Sequence, residues 1–270
     1  MAPAGQFLNL NTSGNSSPGY SGSSGGVVAG IDGTPWQDVR IGAAVGFSSQ
    51  NISATNAASY RGNAVQLQVY GSARYAIAFL DVQAGGVFTE GTARRTVSAY
   101  GVTPGGDISG FGGGASVRGG AHVEVDGWNL EPGVLLSGLA LSQDGVNKTN
   151  GGPVGLQVGG GSIASLQSLI GIRADRRVPV GETSTILPSV HVGWAYEMLD
   201  TSAQAKAGFL GVPGSSFAVT TPPFGRTSLV VGAQGALETG TPLQLFASYT
   251  AALSSNTTAQ TVTAGTRYTW

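Results

Sequence analysis

Alternation with a period of two runs through this chain in stretches of about 9–11 residues, the length a tilted strand needs to cross a bilayer. Gln66, Gln68, Tyr70 and Ser72 alternate with Val65, Leu67, Val69 and Gly71. Ser116, Arg118, Gly120, His122 and Glu124 alternate with Ala115, Val117, Gly119, Ala121, Val123 and Val125. Gln244, Ser248 and Thr250 alternate with Leu243, Leu245, Ala247, Tyr249, Ala251 and Leu253, with Phe246 the exception on the polar side. Successive side chains of a strand point to opposite faces, so each stretch reads as a strand with one apolar and one polar face.

Composition decides what those faces meet. Only 10% of residues are charged while 41% are hydrophobic. A water-facing surface usually draws on ~25% charged residues, so much of this surface reads as not facing water. No transmembrane helix accounts for that, because the best apolar runs, Val134 to Leu141 and Leu229 to Ala233, are short and broken or bounded by Gly or Ser. The other structure that crosses a bilayer with every backbone group satisfied is a closed β-barrel. The 45 glycines also oppose helix, at roughly 1 kcal/mol per interior Gly. A net charge of −1 argues against a nucleic-acid partner, and the absence of Cys excludes a disulfide scaffold and a Cys-ligated zinc site. Two His leave little for a His-based metal centre, and no metal or cofactor is expected.

The expected fold is all-β: a single closed antiparallel transmembrane β-barrel of about twelve strands, filling residues 1–270. The strands read as Gly5–Thr12, Gly26–Asp32, Asp38–Ser49, Tyr60–Ser72, Tyr75–Glu90, Ser109–Val125, Trp128–Gln143, Gly160–Arg173, Thr185–Met198, Gly225–Glu238, Leu243–Leu253 and Ala259–Trp270. Short connections fall at every second position: Gly33 to Gln37, Ala73-Arg74, Asp126-Gly127, Pro179 to Ser184 and Thr239 to Thr241. Longer ones lie between them: Ser13 to Gly25, Gln50 to Ser59, Gly91 to Ile108, Asp144 to Gly159 and Leu199 to Phe224, with the short Ser254 to Thr258 a mild exception. Short turns at one rim and long loops at the other are the asymmetry of outer-membrane barrels. The segment Met1 to Gly5 has neither a basic region nor an apolar core, so any leader is expected in sequence upstream of that shown.

With the apolar face of each strand turned to lipid, the strand charges point into the lumen. These are Asp32, Arg40, Asp81, Arg118, His122, Glu124, Glu131, Arg173, His191, Glu197 and Arg267. An Arg or Lys on the lipid side costs ~2–4 kcal/mol at mid-membrane, which is the reason to expect them inside, as an internal polar network. Aromatic residues near strand ends, Phe47, Tyr75, Phe88, Trp128, Tyr196, Tyr268 and Trp270, have the look of interfacial girdles. Catalytic signals are weak. The Gly110 to Gly114 string lacks a βαβ context, no Gly-x-Ser-x-Gly elbow is present, and the His122–Glu124 spacing lacks a defined nucleophile. No catalytic residue is assigned.

The C-terminus, Thr261 to Trp270, ends on an aromatic, with Val262, Ala264, Thr266 and Tyr268 on one outward face. It resembles the last strand of autotransporter (type V secretion) translocator β-barrel domains. Gly25 to Asp32, Leu130-Glu131-Pro132 and Pro213 to Val219 resemble that family too, in matching order along nearly the whole chain. The resemblance implies a Gram-negative outer-membrane barrel that secretes or displays its own N-terminal passenger, which is not in this chain. It also implies outer-membrane lipid and the barrel assembly machinery as partners, the latter reading Val262, Ala264, Thr266, Tyr268 and Trp270 as an assembly signal. In the family a helix or the passenger's end runs through the pore before the first strand, and the six residues ahead of Phe7 are too few for it. The alternatives are a free-standing porin-like channel for small solutes and an outer-membrane barrel hydrolase.

Overall fold

The computed structural model describes residues 2–10, 19–55, 58–148, 152–202, 204–212, 214–221 and 223–270. Among the described residues, twelve antiparallel strands form the main sheet in chain order: β1 (Ala2–Leu10), β2 (Tyr20–Trp36), β3 (Val39–Ala54), β4 (Ala58–Tyr75), β5 (Ala78–Arg95), β6 (Gly105–Ala121), β7 (Trp128–Gln143), β8 (Gly161–Asp175), β9 (Ser184–Glu197), β10 (Thr227–Glu238), β11 (Leu243–Leu253) and β12 (Thr257–Tyr268). Each pairs with its neighbours, β7 with β8 included, and β1 pairs with β12 from Ala4–Thr263 to Leu10–Thr257. The ring is therefore closed. β6 continues as Val123–Val125 past a break at His122, where Pro132 on β7 has no N–H to offer the ladder.

The alternation sets the two faces. On β2 to β4, Ile31, Ile41, Val45, Leu67 and Val69 are exposed, whereas Asp32, Gly42, Gln68 and Tyr70 on the opposite parity are half-buried. The apolar parity is the convex, lipid-facing one and the polar parity the concave lumen wall. Phe47, Val65 and Phe88 share one outward row across β3 to β5, and Phe88 packs on Phe111 of β6 with ring centroids 4.9 Å apart. On β4 that row stands ten residues from the exposed Tyr75 at the short-turn rim, where Trp36, Trp128, Tyr268 and Trp270 also lie exposed. Ten residues at about 3.3 Å and a tilt near 40° give roughly 25 Å, the height of an outer-membrane apolar band.

Strand ends differ from the sequence expectation where the chain leaves the apolar band. β2, β3, β4, β5 and β6 extend beyond it, so much of the expected loops Ser13 to Gly25, Gln50 to Ser59 and Gly91 to Ile108 is strand. There the outward residues are polar while Ile52, Tyr60, Ala93 and Ile108 lie on the inward parity, so the apolar-out, polar-in alternation that marks the band no longer applies. The β4–β5 turn falls at Ala76-Ile77 rather than Ala73-Arg74, with Ala76 at φ 51° and no Gly, Asn or Asp to announce it. Asp126-Gly127 is a turn as expected, both residues at positive φ, as a two-residue hairpin of type I′ requires. The expected loops Asp144 to Gly159 and Leu199 to Phe224 together build a four-stranded sheet outside the ring, from Val146–Lys148, Leu156–Val158, Gln204–Phe209 and Phe217–Thr220. Beside this sheet, Phe224 meets Tyr20 edge to face, and burial pushes the Tyr20 phenol up to about 12. Asn11-Thr12, Ser13 to Pro18, Asn56-Ala57 and Pro213 lie outside the described residues.

Candidate functional site: the charged lumen wall

The inward parity collects the strand charges into separate clusters. Three of these clusters stand toward the short-turn rim. Asp32 on β2 accepts a close hydrogen bond from the Arg267 guanidinium on β12 and one from the Tyr70 hydroxyl on β4 at 3.2 Å; Arg40 Nε on β3 stands 3.5 Å away. The carboxylate thus ties β2 to β12 although they are not ladder partners, since β1 lies between them higher up. Room for the Tyr70 ring comes from Gly42. A Cβ there would sit 2.5 Å from Tyr70 Cζ and 2.7 Å from Asp32 Cβ.

The second cluster centres on Glu131 of β7, 7% exposed. One oxygen takes a hydrogen bond from Arg118 Nη2 at 3.3 Å; the other lies 3.0 Å from His122 Nδ1 and takes a longer hydrogen bond from Asn129 Nδ2 at 3.5 Å. Arg118 also reaches Asp81 on β5 through Nη1 at 3.4 Å. Phe79 walls this group off. The Arg118 guanidinium lies over its ring at 4.6 Å, and the His122 ring is 4.9 Å from it. Gly120 makes that packing feasible, because a Cβ there would meet Phe79 Cζ at 2.7 Å. Asn129 Nδ2 continues to Asp175 on β8 at 3.4 Å, and Arg173 Nε stands 3.7 Å from the same carboxylate. The third, smaller cluster is the close pair of Arg177 with Glu238.

Glu197 is at the other end of the lumen, where β9 passes into the long connection 198–226. It accepts the Ser165 hydroxyl at 2.6 Å and the backbone N–H groups of Leu166 at 2.9 Å and Leu199 at 3.0 Å. Arg226 donates to the carbonyls of Glu197 and Leu199 at 3.0 and 3.1 Å. This is a clamp on the start of a loop.

The sequence-derived residues thus fall in different places. Asp32, Arg40 and Arg267 come together; so do Asp81, Arg118, His122 and Glu131, with Arg173 attached through Asp175. Glu124 is exposed at the rim, with no ion pair or side-chain hydrogen bond among the described residues, so His122 faces Glu131 and not Glu124. His191 lies opposite Arg173 in the ladder and covers Gly232. Tyr70, Phe79 and Asn129 carry no charge that would set them apart in the sequence, and Asp175 lies two residues past the expected strand end. The upper lumen is less polar than expected: Leu139, Leu141 and Ile163 share the parity of Ser116 and Ser137. Among the described residues no serine hydroxyl bonds to His122 or His191, and no three His, Asp or Glu gather as a metal site would require.

On β12, Val262, Ala264, Thr266 and Tyr268 are exposed on the outward parity, and Trp270 beyond the strand is 83% exposed. Trp270 lies along a shallow apolar trough of about 1230 Å³ that includes Ile31, Gly33 and Ile41.

The sequence matches the family described as autotransporter beta-domain over residues 1–250. No curated protein matches it. Among solved structures it is similar to the translocator domain of autotransporter NalP from Neisseria meningitidis, with TM-score 0.79, 16% identity, and coverage of 100% of this chain and 87% of that one. It is also similar to the β domain of the Bordetella autotransporter BrkA, at TM-score 0.70, 16% identity and 100% and 99% coverage. The transport unit of AIDA-I from Escherichia coli matches at TM-score 0.71, 11% identity and 100% and 89% coverage. At these identities the likeness is one of fold.

Proposed function

The chain belongs to the autotransporter β-domain family, and from that premise we propose that residues 1–270 act as one translocator unit whose lumen wall guides a passing or resident segment of its own passenger. The domain sits in the outer membrane of a Gram-negative bacterium and serves passenger secretion. The observation that carries the lumen reading is the pairing within the wall. Asp32, Asp81 and Glu131 each have a cationic partner inside the barrel, which leaves the wall close to neutral toward a chain moving past it. A wall of unpaired charge would hold every segment of opposite sign. The domain acts here by anchoring and passage, with no catalytic step.

The test is surface display. In the full-length protein, with an epitope in the passenger, added protease should release the epitope from intact cells. An inserted barrel whose epitope stays protected in the periplasm would refute the reading and favour a channel.

The C-terminal signal belongs to the same proposal. Val262, Ala264, Thr266, Tyr268 and Trp270 serve recognition by the barrel assembly machinery, and their uninterrupted exposed outward row supports this. Trp270→Ala should sharply lower the heat-modifiable, inserted barrel in cells, while refolded protein melts nearly as before. If insertion is normal and only heat stability falls, Trp270 is an interfacial anchor worth about 1.5–3 kcal/mol of burial and nothing more.

A further inference from the structure

β2 to β6 rise above the outward aromatic row of Phe47, Phe88 and Phe111 by up to seven residues, roughly 18 Å at strand rise and barrel tilt. The convex face of this extension stands beside the headgroup zone of the outer leaflet. Two cross-strand rows cover it. One runs Ser23, Asn51, Arg61, Thr92, Asp107, and the next Gly25, Ser49, Asn63, Glu90, Ser109. All but Thr92 are exposed and none carries a large apolar side chain. They line a cleft of about 830 Å³.

The chemistry of the cleft suits a phosphorylated saccharide. Amides and hydroxyls both donate and accept, as sugar hydroxyls do. Ser49 donates to Asn63 Oδ1 at 2.8 Å, which leaves the Asn63 amide N–H groups to face outward. Arg61 is exposed and has no ion-pair partner among the described residues, so its fork is open to a phosphate. Glu90 supplies an acceptor beside it. Directly below the aromatic row the surface becomes an apolar trough of about 790 Å³, where Ala29, Ala43 and Ala84 lie low between Ile31, Leu67 and Val69. A polar cleft above, an aromatic row at the interface and a trough beneath follow the order of parts in one lipid molecule.

We propose that this face binds the outer-leaflet glycolipid, with its sugar-phosphate headgroup in the cleft around Arg61 and Asn63 and its acyl chains in the trough. This rests on the outer-membrane placement and is independent of the passenger.

The probe is fluorescent rough lipopolysaccharide, titrated into the full chain refolded in phosphatidylcholine vesicles, with heat-modifiability as the check on folding. The folded wild-type barrel should enrich the glycolipid over phosphatidylcholine. The Arg61→Ala/Asn63→Ala variant should bind it about tenfold more weakly. Thr89→Ala, next to Glu90 but on the lumen parity and outside the cleft's lining, should bind as wild type does. Equal binding by wild type and the double variant overturns the proposal, as does equal loss with Thr89→Ala. Association of barrels with one another that the double variant abolishes, without effect on glycolipid binding, would assign the face to a second copy instead. Passenger display, measured separately, should not change in the double variant.

Discussion

The Asp32 and Glu131 clusters face the same lumen near the same rim and are built on different terms. Glu131 is almost wholly buried behind Phe79, and its two closest partners, Arg118 and His122, come from the neighbouring strand β6 and the break just past it. Asp32 keeps about a quarter of its side chain exposed, and draws on β3, β4 and β12, one partner lying 235 residues away in sequence. A desolvated carboxylate is costly to leave alone, whereas a wet one loses little because water replaces the partner. The dry cluster holds the wall together and the wet one joins the two ends of the sheet, so burial and topology need not coincide.

Breaking the dry cluster should have the largest effect. Arg118→Leu strands both Glu131 and Asp81, and the expected loss is about 2–4 kcal/mol, at the lower side of buried-pair values because the lumen admits water. Urea unfolding in vesicles, followed by Trp fluorescence, reads it. Glu131→Gln, which keeps the shape and removes the charge, should recover part of that loss in the Arg118→Leu background. If Arg118→Leu unfolds like wild type, Glu131 is solvated and the contrast between the clusters disappears.

Next in size is the glycine under the aromatic ring in each cluster. Gly42→Val should push Tyr70 off Asp32, and Gly120→Val should push Phe79 off Arg118, at about 1–3 kcal/mol each for overpacking. Outward Gly25 and Gly235, whose Cβ positions meet nothing within 4 Å, should accept Ala with little change in the unfolding midpoint. Equal costs on both faces would contradict the assignment of the crowded side.

The smallest equilibrium effect is expected at the wet cluster. A double-mutant cycle on Asp32→Asn and Arg267→Gln should give a coupling of about 0–1 kcal/mol that shrinks as salt rises toward 1 M. Its consequence is kinetic: Asp32→Asn should slow closure of the barrel more than it speeds unfolding, read by the time course of the heat-modifiable band. Faster unfolding with unchanged closure would place Asp32 among ordinary wall contacts.

Much of this was legible in the residues. The parity of Arg118, His122 and Glu131 follows from alternation alone, as does the odd inward position of Phe246. β7 and β11 begin and end where the pattern does. The misses share a cause. Asp175 lies at a strand end followed by Arg176 and Arg177, and the outer parts of β2 to β5 turn polar residues outward, with Ile52, Tyr60 and Ala93 on the inner side, so the apolar-out pattern no longer marks a strand. The sheet built from residues 146–220 pairs two distant loops, and neither carries a local sign of the other.

What the sequence determined by itself is which way each side chain faces, because a strand's two-residue period is a property of one strand and lipid on one side enforces it. The same local rule, applied to few charges and many glycines, determined that the apolar face is the outer one. Which charges meet was decided only by the tertiary structure. Register and closure are relations between strands, so the meeting of Asp32 with Arg267, the burial of Glu131 behind Phe79 and the isolation of Glu124 depend on how twelve ladders align around the ring. A slip of two residues would keep every side chain on its face and change every partner.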